Sequence, residues 1–496
     1  MNYTSTRNNT LSVSSSFAIA NGISTDGGLF VPTDIPKVSE DFIASLVPMT
    51  YIERARKVLS LYLTDFSAEE INEDTLGAYG EGFTHEKVAP LVNLHDNVNV
   101  LELWHGPTCA FKDMALQLLP YLLTGSAKKM SDGKETVILV ATSGDTGKAA
   151  LEGFKDVPGT KILVFYPSEG VSAMQKLQMT TQKGENVGVC AIKGNFDDAQ
   201  TGVKTIFTDS TVREMLDKNN MAFSSANSIN WGRLVPQIVY YFSAYADMIA
   251  SGQIENGDKI NFTVPTGNFG NILAAYYAME MGLPVNKLIC ASNANNVLTE
   301  FINTGKYNRL RQFHTTVSPS MDILVSSNLE RLLFHLSGDN SEEIKTLFGQ
   351  LSEKGEYTVS SDILEKIQKV FAAGCCDDTA TKITIGETFK ENNYLLDPHT
   401  GVAVNVYNEY RKATGDSTPA VIVSTASPYK FSPAVLEGIG VNASSEDEFD
   451  MIAALTDASG VPAPEKLTEL KGEKPRFTEI CEKDAMQGVV FGMLGI

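Results

Sequence analysis

Cysteine and histidine are scarce and scattered. Six of each occur in 496 residues, and neither is spaced like a ligand set. Cys109, Cys190, Cys290, Cys375, Cys376 and Cys481 include no Cys-x-x-Cys pair, and there is no His-x-x-x-His pair. A structural metal site is therefore not expected. Thiols this dispersed read as buried or incidental groups in a reducing compartment. Basic residues are also in deficit: 40 Lys and Arg against 60 Asp and Glu give a formal net charge of −20. That balance speaks against nucleic acid and anionic lipid as partners, although small anions still fit a cleft with local positive groups. No apolar run reaches the roughly 18 residues of a membrane helix. The start Met1-Asn2-Tyr3-Thr4-Ser5-Thr6-Arg7 has no basic region leading into an apolar stretch. Neither a membrane span nor a signal peptide is expected, and a cytoplasmic location is. Internal repeats and low-complexity tracts are absent.

What is present is length and an alternation of patterns. At about 150 residues per domain the chain holds two or three domains. Phe42 to Leu63 reads as helix with a break near Pro48. From about Asn97, short β-branched runs alternate with helical periodicity. Thr136–Ala141, Lys161–Tyr166 and Asn186–Ile192 read as strands, each followed by a helix. A second block has a helix at Arg233–Ile249, a strand at Lys259–Val264, a helix at Ile272–Met281 and a strand at Lys287–Ala291. A further strand, Ala420–Ser424, comes after a charged, mostly helical stretch at 339–392 without clear strands. Such alternation argues for parallel sheets with right-handed crossovers. The expected division is 1–96 as an N-terminal α+β region, 97–135 with 223–460 as a large α/β domain, 136–222 as a smaller one, and 461–496 as an acidic tail.

Five segments could carry chemistry. Lys112 lies in Trp104-His105-Gly106-Pro107-Thr108-Cys109-Ala110-Phe111-Lys112-Asp113, between an aromatic ring and a carboxylate, where a helix begins. A lysine shielded by apolar neighbours gives up its proton readily, and the neutral amine condenses with aldehydes. Pro265-Thr266-Gly267-Asn268-Phe269-Gly270-Asn271 joins a strand to a helix. Its glycines and the helix start can bring N–H groups onto one phosphate, and it also reads as a plain tight turn. Its glycine spacing is not that of a dinucleotide site. Thr142-Ser143-Gly144-Asp145-Thr146-Gly147-Lys148 can hold a carboxylate or simply cap a helix. Only two residues separate its glycines, so it is not a nucleotide P-loop. Asn227-Ser228-Ile229-Asn230-Trp231-Gly232-Arg233 sets an arginine at a helix mouth, and Ser424-Thr425-Ala426-Ser427-Pro428-Tyr429-Lys430 follows a strand.

Taken together, these segments resemble threonine synthases of the bacterial and fungal kind. The resemblance extends to Tyr3–Arg7, Asp26-Gly27-Gly28-Leu29-Phe30-Val31-Pro32, Ser318–Arg331 and Leu396-Asp397-Pro398-His399-Thr400-Gly401, and so covers most of the chain. It implies an α/β enzyme of fold-type II, tryptophan synthase β-like, with two open parallel-sheet domains that meet at the active site. It implies pyridoxal 5′-phosphate (PLP) as cofactor and O-phospho-L-homoserine as substrate, converted with water to L-threonine and phosphate. Lys112 would hold the cofactor and shuttle protons. Gly267, Asn268, Phe269, Gly270 and Asn271 would anchor its phosphate, and Thr425 its ring nitrogen. Ser143, Gly144, Asp145 and Thr146 would grip the substrate carboxylate. Arg233, with Ser228, Asn230 or Lys430, would face the substrate phosphate. The expected assembly is a monomer or a weak homo-oligomer. Two departures stand out: Asp145 occupies a loop position where related enzymes often carry asparagine, and Ser427 stands where many relatives carry histidine. An ionised Asp145 would repel the cofactor's phenolate, so that contact is left unassigned. Other PLP lyases of the same fold, a nucleotide-binding oxidoreductase and a catalytically silent relative are the alternatives to separate.

Overall fold

A computed structural model describes residues 1–130, 133–142, 144–169, 171–442, 445 and 447–496, with Asp197 described through its backbone alone. Two parallel sheets organise the chain. The larger has six strands in the order Phe371–Cys375, Val285–Ser292, Ile260–Pro265, Ala420–Ser424, Val98–Glu102 and Leu91–His95. Its first five strands run parallel. The smaller sheet is parallel throughout, in the order Ile480–Glu482, Val187–Lys193, Thr160–Pro167, Glu135–Ala141 and Met221–Ser224. Parallel sheets are covered on both faces, which is why their strands read as unbroken apolar runs. Val137 to Ala141 and Ile260 to Pro265 are buried at every position.

The helix Trp231–Ala250 runs through the centre of the large unit and is buried along nearly its whole length. Its first residue, Trp231, is in edge contact with Tyr3 and Tyr277 and tilted contact with Tyr62. This aromatic cluster fastens the N-terminal region, a small antiparallel sheet plus helices Glu40–Leu46, Tyr51–Leu59 and Ala68–Tyr79, to the core. A buried ion pair, Arg54 Nη1 to Asp247 Oδ1 at 2.7 Å, ties the same region to the far end of the central helix. Among the described residues, no helix is long and apolar enough to cross a membrane.

The structure departs from the sequence expectation in three places. Leu91–His95 forms a hairpin with Val98–Glu102 and is the antiparallel edge of the large sheet, so that sheet begins before residue 97. The stretch 339–392 contains two strands. Glu356–Thr358 pairs with Lys306–Asn308, and Phe371–Cys375 forms the other edge of the large sheet. Phe-Ala-Ala-Gly-Cys has no β-branched residue, so its strand character comes from the neighbouring strand and not from propensity. The segment 461–496 is no simple tail. Ile480–Glu482 extends the small sheet, and Met486, Val490 and Leu494 of the helix Met486–Leu494 are buried in the small unit's core. Three residues of strand are too few for a periodic signal to show. Val490→Asp would place a carboxylate in the cluster that holds Cys190, Val203 and Ile206. Amide exchange of Val187–Lys193 is then expected to accelerate by about tenfold or more, with Ile260–Pro265 unchanged. Equal acceleration in both sheets would show that the segment supports the whole molecule instead.

Candidate active site

A cleft of about 300 Å³ opens where the carboxyl ends of the two sheets face each other. This is where open parallel sheets bind ligands, because the loops leaving adjacent strands diverge there. Ala141 and Thr142 reach it from the small sheet, and Pro265 and Thr425 from the large one.

Lys112 lies at its base. The run leading to it is bent and heavily bonded. Cys109 adopts a left-handed φ of 59°, and the buried Asp113 carboxylate accepts from Thr108 N and Oγ1 at 2.8 and 2.7 Å. A Cβ on Gly106 would come within 2.5 Å of that carboxylate, so only glycine fits. Burial raises the Asp113 carboxyl to about 6, against the pull of its Thr108 bonds. Phe111 N donates to Thr425 O at 2.8 Å, which fixes the run to the strand end opposite. The Lys112 side chain is 11% exposed, and its Nζ lies 3.9 Å from Asp145 Oδ2 and 3.5 Å from Ser320 Oγ. Burial lowers this amine to about 8. Asp145 opposes that shift, while Arg233 and Lys430 add to it.

Across the cleft, the turn Pro265–Asn271 leads into the helix Gly270–Met281. Phe269 takes a left-handed φ of 62° at the helix cap. The turn's carbonyls are turned away and bonded: Ser326 Oγ donates to Gly267 O, and Asn328 N to Asn268 O. Among the described residues, no hydrogen bond engages the N–H groups of Gly267 to Asn271. Asn271 Oδ1 accepts from the Tyr240 and Tyr241 hydroxyls, leaving its buried Nδ2 without a partner. Close approach of Ser320 O, 2.9 Å from where a Cβ would sit, explains the glycine at 267. Unspent donors at a helix start form an anion cradle, and its size and chemistry fit a phosphate monoester.

Arg233 is the second anion-binding feature. It is buried, donates from Nη1 to Ala226 O at 2.8 Å, and lines the cleft. Among the described residues no carboxylate pairs with it, and burial lowers its guanidinium to about 10. A buried cation with no counter-charge is costly unless an anion arrives. Ser228, Thr146 and Thr425 also line the cleft.

Four of the expected site residues are placed otherwise. Asn230 caps the central helix: Nδ2 donates to Ile19 O and Ser225 O, and Oδ1 accepts from Gly232 N. That leaves it turned from the cleft. Lys430 is wholly buried and pairs with Asp145 Oδ1 at 2.5 Å instead of facing a substrate phosphate. Asp145 is itself an ionised carboxylate. Burial would raise it, but Lys430 and Lys112 outweigh that and hold it well below the usual range, so its side chain cannot grip another carboxylate. Gly144 does not line the cleft, and Ser143 lies outside the described residues. Among the lining residues that the sequence reading did not assign to the site are Ser320 and His399. His399 Nε2 accepts from Ser320 N at 3.2 Å, so Nδ1 carries the proton and donates to Asp397 Oδ1 at 2.7 Å. Asp397, two residues before His399, was the available signal for an oriented imidazole.

A buried amine of lowered basicity in one cleft with a phosphate-sized cradle fits the family of pyridoxal-phosphate dependent enzymes. Residues 84–427 match the family model described as "Pyridoxal-phosphate dependent enzyme". Residues 2–79 match "Threonine synthase N terminus" and 400–490 "Threonine synthase, C-terminal". Threonine synthase of Pseudomonas aeruginosa is 41% identical over 445 residues, covering 89% of this chain and 91% of that protein. Threonine synthase-like 1 of Homo sapiens is 40% identical over 479 residues, or 94% of this chain and 64% of that protein. The crystal structure of PLP-bound threonine synthase from Brucella melitensis superposes with a TM-score of 0.86 at 36% identity, covering 99% of each chain. The chain belongs to the threonine synthase family, and it spans about 64% of the length of its threonine synthase-like 1 relatives.

The lowered amine makes a direct prediction. Below pH 8 Lys112 is protonated and inert toward amine reagents; above it the free amine reacts. Modification by trinitrobenzenesulfonate, followed at the Lys112 peptide by mass spectrometry, is expected to be half-maximal near pH 8. Solvent-facing lysines should follow with midpoints near 10.4. A Lys112 midpoint among those would remove the argument from burial.

Proposed function

We propose that this chain binds pyridoxal 5′-phosphate and converts O-phospho-L-homoserine and water into L-threonine and inorganic phosphate, the last step of threonine biosynthesis. The observation that carries the reading is that Lys112, the N–H cradle of Gly267–Asn271 and the unpaired cation of Arg233 line one cleft. One cleft thus offers a reactive amine and two separate anion sites. Lys112 would hold the cofactor covalently, the cradle and Asn271 Nδ2 would hold its phosphate, and Thr425 would serve its ring nitrogen. When bound, the cofactor supplies an electron sink for negative charge at the substrate's Cα and Cβ.

The chain's own groups do the rest. Thr146 and the start of the helix Asp145–Phe154 hold the α-carboxylate through hydroxyl and N–H donors. Lys112 Nζ takes protons from substrate carbons and returns them, and a basicity near neutrality suits both directions. Arg233, with Ser228, neutralises the phosphate as the bond from Cγ to oxygen breaks. Water then adds at Cβ. Six cysteines, none in a disulfide, support a cytoplasmic location.

The test is to record the visible spectrum with PLP, add O-phospho-L-homoserine and measure products. A cofactor band with threonine and phosphate in equal amounts is the expected result. Phosphate with 2-oxobutanoate would move the activity to a phospholyase, and no band would remove the cofactor. Lys112→Ala is expected to lose band and turnover while retaining native circular dichroism. Arg233→Leu should keep the band and lose about 30-fold or more in kcat/KM, the effect of removing a buried charged contact. Near-normal kcat/KM would clear Arg233 of that role.

A further inference from the structure

We propose that Lys430 is a positioning residue that holds the Asp145 carboxylate against Lys112 and thereby sets how readily the Lys112 amine gives up its proton. This rests on Lys112 being the reactive amine. Lys430 sits in the short turn Pro428–Phe431, just beyond Thr425 and the strand Ala420–Ser424. Its side chain is fully buried and makes two contacts: Asp145 Oδ1 at 2.5 Å and Thr108 O at 3.0 Å. The first belongs to the small unit. The second belongs to the run that carries Lys112. One ammonium therefore pins the helix start of one unit to the lysine run of the other.

The geometry at Asp145 divides its two oxygens. Oδ1 takes Lys430 and the amide of Gln175, whose Nε2 is 2.9 Å away. Oδ2 is left for Ser320 Oγ at 3.3 Å and Lys112 at 3.9 Å. Lys430 thus offsets part of the negative charge that Lys112 sees and keeps the carboxylate in place. The other charged or titratable groups acting on Lys112 are Arg233 from the central helix and Asp113 on its own run, with Asp322 and His399 lining the cleft. Asp113 is spent on Thr108, Asp322 on Thr316, Asn293 and Asn295, and His399 on Asp397. Asp145 is the strongest charged neighbour of Lys112 and favours its charged form, while Arg233 and Lys430 oppose it. With Lys430 removed, one of the two opposing cations is gone and the balance moves toward a charged Lys112.

The test uses the full chain and reads the pH midpoint of Lys112 modification by trinitrobenzenesulfonate, with the pH dependence of PLP capture beside it. Lys430→Met is expected to raise both midpoints by about one pH unit or more, the usual effect of an unshielded opposite charge at this range. Lys430→Arg should restore the wild-type value, which a purely structural role for the lysine would not require. Asp145→Asn should move the Lys112 midpoint the opposite way, downward. An unchanged midpoint in Lys430→Met overturns the proposal. If that variant does not fold, an unchanged or raised midpoint in Asp145→Asn does the same. Wild-type protein that captures no PLP while its variants still show these shifts would sink the proposed function and leave this inference standing.

Discussion

The site depends on one electrostatic constraint: three cations, Lys112, Lys430 and Arg233, are buried with two carboxylates, Asp145 and Asp113. Lys430 and Asp145 compensate each other directly. Lys112 shares that carboxylate at 3.9 Å, and among the described residues Arg233 pairs with none. A fall in the Lys112 amine from 10.5 to about 8 corresponds to on the order of 3 kcal/mol against holding the charged form. The protein meets that cost by letting Lys112 lose its proton near pH 8. Arg233 has no such exit, because a guanidinium stays charged. The cleft therefore favours anions, and both of its donor regions, the turn at Gly267–Asn271 and Arg233, line it together with the amine. A phosphate-bearing cofactor and a phosphate-bearing substrate would meet that preference together.

The scaffold exists to hold these groups at fixed distance. Cys109 and Phe269 both adopt left-handed backbone conformations without being glycine, and such residues cost about 1–3 kcal/mol each. Each is overdetermined by its surroundings. Cys109 N donates to Gly106 O, while Ser427 N donates to Cys109 O. Phe269 lies between the Asn268 carbonyl, held by Asn328, and its own carbonyl, which accepts from Leu273 N. The first strain turns Lys112 into the cleft. The second turns the N–H groups of the cradle outward from the sheet. Arg331 contributes from behind, donating to Phe30 O and Ile229 O, so the N-terminal region braces the wall that carries Ser228 and Arg233.

Much of this was legible in the sequence, for identifiable reasons. The strand runs Thr136–Ala141 and Ala420–Ser424 are buried on both faces, and burial writes itself as uninterrupted β-branched residues. Lys112 and the turn at 265–271 were found because both need unusual composition: an amine among apolar groups, and glycines where backbone comes close. What escaped was set by tertiary context. Phe371–Cys375 is a strand only because Val285–Ser292 offers it an edge. Asn230 and Arg233 sit in one polar cluster three residues apart, but the helix turns one toward Ile19 and the other toward the cleft. Ser320 and His399 belong to segments remote from Lys112 in sequence, and nothing local tells a cleft-facing serine from any other.

The two departures from the family pattern, at 145 and 427, make joint physical sense. An asparagine at 145 would offer Lys430 a dipole in place of a charge, and a fully buried ammonium with only a carbonyl partner is hard to sustain. Aspartate at 145 and a charged Lys430 are therefore one requirement. Ser427 serves the same pair. Its Oγ accepts from Tyr429 N and its N–H bonds Cys109 O, fixing the start of the turn that aims Lys430 inward. The lysine run, the helix start that bears Asp145 and the turn after Thr425 come from three distant parts of the chain. They meet at a single carboxylate, so a change to any one is felt at the Lys112 amine.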